Sequence, residues 1–103
     1  MARSFSARVT TAPDVLVRLV GDEAVLLHLG TETYLGLDKI GARMWNVLTH
    51  APSIECAYHE LLKEYDVQPV RLRGDLDDFL DKLTGQNLIE ISAEEAAQSE
   101  ARG

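Results

Sequence analysis

Three short apolar runs, set apart by two glycine-containing turns, constrain this chain more than any other feature of its sequence. Val15 to Val20 is rich in β-branched residues and breaks at Gly21-Asp22-Glu23. Ala24 to Leu29 breaks at Gly30-Thr31-Glu32, and Thr33 to Leu37 follows. Runs of this length, separated by about three turn residues that include glycine, predict an antiparallel meander. Period-two alternation places Val15, Val17 and Leu19 on one face. It assigns Val25, Leu27 and Leu29 to the matching face of the second strand, continues with Leu35 and Leu37, and leaves Arg18 and His28 on the more polar side.

The period changes at Asp38, a good N-cap for a helix over about Lys39 to His50. Ile40, Met44, Val47 and Leu48 follow helical spacing with Trp45 beside them, and Ala51-Pro52 stops the run. Ser53 caps the next helix. There Ile54, Ala57, Tyr58, Leu61, Leu62 and Tyr65 recur at amphipathic intervals. A third helix is predicted from about Val70 to Thr84, with Leu72, Leu76, Phe79, Leu80 and Leu83 as its apolar stripe. Leu88 to Ile91 is a short extended segment. Residues 1–14, rich in Ser, Thr, Ala and Arg, read as a flexible N-terminal arm. Residues 92–103 read as an Ala/Glu-rich tail, frayed or disordered. The domain proper is residues 15–91, and strands followed by helices give an α+β class: a three-stranded antiparallel sheet packed on three helices.

Composition narrows the partners. A chain of 103 residues with 46% apolar content supports one modest core. A net charge of -7 argues against nucleic acid, since phosphate binding needs clustered positive charge. The single Cys56 permits no internal disulfide and fits a reducing cytoplasm. No apolar run approaches the roughly 18 residues of a spanning helix, so no membrane association is expected.

Catalytic candidates are sparse. His28, His50 and His59 lack metal-ligand spacing. Asp75, Asp77, Asp78 and Asp81 crowd the third helix, where paired carboxylates can perform acid–base work or hold a cation. The plainer reading is a solvated face opposite the apolar stripe. Cys56, in the first turn of the second helix, has no His-plus-acid arrangement around it, and Trp45 belongs to the core. The expectation is therefore no enzyme, no cofactor and no metal. One structural feature does suggest function. If the strands pair in sequence order, Thr33–Leu37 is an edge with unpaired main-chain groups, open to an extended peptide, to the chain's own ends, or to a second copy in a homodimer.

The stretch Tyr34-Leu35-Gly36-Leu37-Asp38-Lys39-Ile40-Gly41-Ala42-Arg43-Met44-Trp45 resembles the PqqD-like family, which includes recognition elements for ribosomally synthesised, modified peptides (RiPPs). Glu23 to Leu29, Asp75 to Leu83 and Asn87-Leu88-Ile89 extend the likeness. Asn87 stands where the family usually has glycine, and asparagine tolerates the left-handed conformation. The resemblance implies a winged-helix-like fold. It further implies that the leader segment of a precursor peptide, in RiPP or PQQ-type biosynthesis, binds as an added strand between the third strand and the third helix. The leader would then be presented to a modifying enzyme such as a radical SAM enzyme or a leader protease. On that resemblance Thr33, Tyr34, Leu35 and Gly36 supply the edge, Asp75, Leu76, Asp78, Phe79, Lys82 and Leu83 line the helix side, and Leu80 faces the core. The competing readings are a winged-helix DNA-binding regulator, which four aspartates on the third helix oppose, and a structural dimerisation module.

Overall fold

The computed structural model describes residues 5–92. Its elements are β1 (Arg8–Thr11), β2 (Val15–Val20), β3 (Glu23–His28), β4 (Thr33–Leu37), α1 (Lys39–His50), α2 (Ile54–Glu64), α3 (Pro69–Gly85) and β5 (Ile89–Ser92). Strands β2, β3 and β4 form the expected antiparallel meander, in that order. The three helices follow it, and Asp38 and Ser53 cap α1 and α2 by accepting from the Gly41 and Cys56 amides at 2.8 and 3.1 Å.

The facing of β3 differs from expectation, for a reason that lies in the first turn. Glu23 already pairs with Val20, so the turn is the two residues Gly21-Asp22 and not three. Gly21 adopts φ +65°, the left-handed region that tight hairpin turns demand. An even-length turn changes the parity of inward positions. Val17 therefore lies opposite Leu26 and Leu19 opposite Ala24, and these residues of β3, not Val25 and Leu27, face inward. Residues 29–32 also form an even-length connection, which restores Leu35 and Leu37 to the inner face, opposite Leu26 and Ala24. His28 lies opposite Val15 and so belongs to this inner side, while Arg18 points outward as expected.

The core is the inner face of β3 and β4 covered by the helices. Ala24, Leu26 and Leu37 are buried with Met44, Trp45, Val47 and Leu48 of α1, with Ile54, Ala57, Tyr58 and Leu61 of α2, and with Leu72, Leu76, Leu80 and Leu83 of α3. α3 ends in a turn at Asn87 (φ +59°), where the Leu88 amide returns to the Leu83 carbonyl at 3.0 Å. Gly85 remains within the helix.

The N-terminal segment is not a loose arm over its described part. β1 pairs antiparallel with β5 in a separate two-stranded ribbon, and Phe5, Ala7 and Val9 are buried. The Phe5 and Ala7 carbonyls accept from the Glu55 and Ile54 amides at 2.7 and 2.9 Å, satisfying donors at the start of α2. Arg73 lies 4.0 Å from the Phe5 ring centre, and Tyr58 meets that ring edge-on. The inward residues are few and small apart from Phe5, and the β5 partner lies some 80 positions away, so local pattern conceals the strand. Residues 93–103, most of the expected tail, lie outside the described residues. Phe5→Ala is expected to lower stability by about 3 kcal/mol, read as a reduced urea midpoint; a loose arm would leave the midpoint unchanged.

Candidate functional site

A three-stranded sheet has two edges, and the meander order makes them β2 and β4. Each carries main-chain donors and acceptors without a partner strand among the described residues. On β4, Thr33, Tyr34 and Gly36 are exposed and Leu35 is half-buried opposite Leu26. Ile40, one turn into α1, shares a depression with Met44, Tyr65, Leu72 and Asp75. At the other end Asn87, just past α3, shares a second depression with Asp14 and His28, and His28 is the partner of Thr33. α3 therefore runs opposite in direction to β4.

On α3 the structure separates the expected residues into two sets. Asp75, Asp78 and Lys82 are exposed and Phe79 is half-buried, so they share a flank at helical spacing. Leu76 and Leu83 are fully buried, in one stripe with Leu72 and Leu80. They belong to the core and cannot line a groove, because a 3.6-residue period lets one flank carry 75, 78, 79 and 82 while the next carries 72, 76, 80 and 83. Leu80 faces the core as expected. Ile40 shares the helical spacing of Met44, Val47 and Leu48 but is 52% exposed, three residues beyond the end of β4. Its position in the first turn, before the helix dives under the sheet, was the available signal.

A larger groove of about 830 Å³ lies on the opposite side, between β2 and α1, lined by Val17, Leu19, Trp45, Asn46 and Thr49. The Arg43–Glu64 ion pair also lines it. Arg43 Nε donates to Glu64 Oε1 at 2.9 Å and Nη2 donates to Oε2, a two-point contact that ties α1 to the end of α2. The hydrogen bond from Arg43 holds the Glu64 carboxyl below the usual carboxylate range and raises the guanidinium correspondingly.

The three histidines are dispersed. His28 Nδ1 accepts from the Thr31 amide at 3.2 Å, His50 Nδ1 lies 2.7 Å from the Asn46 carbonyl, and His59 pairs with Glu55 at 2.9 Å. Among the described residues no group of three or more His, Cys, Asp or Glu is placed to hold a metal ion. No helix among them is long and apolar enough to cross a membrane.

A sheet with an unpaired edge strand such as β4 is able to take in an extended chain by main-chain pairing. Residues 23–89 match the family model described as coenzyme PQQ synthesis protein D (PqqD), and the chain belongs to that family. A solved structure of TbiB1 in complex with the TbiA(β) leader peptide is 37% identical, covering 79% of this chain and 94% of that one, with a TM-score of 0.74. A structure of lasso peptide synthetase B1 complexed with the leader peptide shares the fold at 21% identity and a TM-score of 0.71, covering 82% of this chain and 99% of that one. No curated protein matches the chain.

The lowered carboxyl of Glu64 has a consequence for pH. Its contribution to stability is present above the unfolded-state value, roughly 4.3, and is lost as pH falls through the lower folded-state value. Glu64→Gln is expected to flatten that acid limb of a stability–pH profile from thermal melts, with little change at neutral pH for so exposed a pair.

Proposed function

We propose that this chain binds the leader segment of a ribosomally synthesised precursor peptide and presents it to a modifying enzyme. The leader adds as a strand to the free edge of β4 at Thr33, Tyr34, Leu35 and Gly36. Asp75, Asp78, Phe79 and Lys82 of α3 flank it, and Ile40 stands at one end. The reading is carried by the open β4 edge in a chain 37% identical to a protein solved with a leader peptide. The chain itself contributes recognition and no catalysis. The enzyme it serves is a leader protease of the lasso-peptide type or a radical SAM enzyme, and the setting is the cytoplasm.

Strand addition makes a sharp demand on the guest. Alternate leader amides point at the host strand and the intervening ones point away. N-methylation at one alternate set should weaken binding about tenfold per site, the worth of one hydrogen bond, while the other set changes little. Fluorescence polarisation with leaders encoded beside this chain reads the pattern; a flat profile sinks strand addition. Backbone NMR shifts on titration decide the edge: they should fall on Thr33–Gly36 and the exposed flank of α3. Shifts centred on β2 and Trp45 would assign the leader to the other groove.

A further inference from the structure

Strand β2 sits at an edge but has the sequence of a buried interior strand. In Val15-Leu16-Val17-Arg18-Leu19-Val20 five of six residues are apolar, on both faces, and none is buried. Strands apolar on both faces are normally covered on both. Outward, the register lines up Leu16, Leu27 and Tyr34 in one row across all three strands, with Arg18, Val25 and Gly36 in the next and Val20 beside the exposed Glu23 at the far end. Leu16 is 46%, Val20 64% and Tyr34 71% exposed, and every buried residue of this sheet lies on the opposite face. Among the described residues nothing covers the outer face. An antiparallel sheet open to water on one side usually turns polar residues there, and a contiguous apolar face of this kind marks a contact surface.

We infer that the outer face of the β2-β3-β4 sheet is the docking surface for the modifying enzyme, adjoining the proposed leader edge at Tyr34 and Gly36. Two observations identify this occupant. The Leu16–Leu27–Tyr34 row ends on Tyr34, a residue of the β4 edge, so a protein seated on the face borders the leader held there. Arg18 stands in the middle of the apolar rows with no ion-pair partner among the described residues. The partner surface is therefore apolar with a carboxylate placed to meet Arg18. A second copy fits less well: a two-fold contact sets the same patch against itself. It would join two chains of net charge -7.

This inference rests on the proposed role of β4 but can fail independently of it. The test uses the full chain, its leader and the modifying enzyme encoded beside it, with Arg18→Glu and Leu16→Ser as variants; both positions are exposed and outside the leader edge. Enzyme affinity, measured by biolayer interferometry, should fall about tenfold or more in each variant, while leader affinity stays within about twofold. Enzyme binding that both variants leave intact overturns the inference, as does an enzyme that does not bind the chain. Leader binding away from β4, with the variant effect on the enzyme preserved, overturns the proposed leader site and leaves the docking face standing. A soluble paramagnetic NMR probe supplies the last arm. If the outer face of the free chain is already shielded, a second copy or residues 93–103 occupy it, and the enzyme does not.

Discussion

The helical layer is narrower than the sheet it covers, and the open edges and face of the domain follow from that mismatch. α1 lies under β3 and β4, so Ala24, Leu26 and Leu37 are buried while no residue of β2 is. Burial of the middle of the sheet supplies the main driving force for holding the meander together, at roughly 25 cal/mol per Å² of apolar surface removed from water. What the helices do not reach stays available: one edge at β4, a second at β2, and an outer face with no cover among the described residues.

The terminal ribbon ties the arrangement together. β1 and β5 close the chain's two described ends on each other, and the Leu88 carbonyl accepts from the Ala12 amide at 3.1 Å just before β2 begins. The same segment supplies the Phe5 and Ala7 carbonyls to the start of α2 and the Phe5 ring to Arg73 of α3. The orientation of α3, one wall of the proposed leader groove, is thus tied to residues far from that groove in sequence. The Arg43–Glu64 contact links α1 and α2 on the other side, where exposure limits its worth.

Membership of the PqqD family and the likeness to leader-bound structures give the open edge a meaning that hydrogen-bond geometry alone does not. Physics makes β2 and β4 equivalent as unpaired edges. They differ in surroundings: β4 runs opposite in direction to α3 and leads into α1 near Ile40, whereas β2 overhangs a groove walled by Trp45 and presents apolar residues on both faces. In the proposed reading one sheet serves a peptide at one margin and a protein on its back.

The sequence by itself determined the class of fold, the bounds of β2 and β4, the caps at Asp38 and Ser53, and the positions of the three helices. These depend on neighbours within a few residues, through turn chemistry, capping and period. Tertiary structure decided what depends on distant partners. The parity of β3 turned on whether the first connection holds two residues or three, and one residue exchanges Val25 and Leu27 for Ala24 and Leu26 on the inner face. β1 was hidden because its strand partner is β5, at the far end of the described chain. Leu76 and Leu83 passed from the proposed site to the core because a helix's stripe can be read from spacing, while which flank meets the sheet is set by packing against other elements. The Thr33–Gly36 edge was legible from the start; which α3 side chains are exposed and which are buried was decided only by packing.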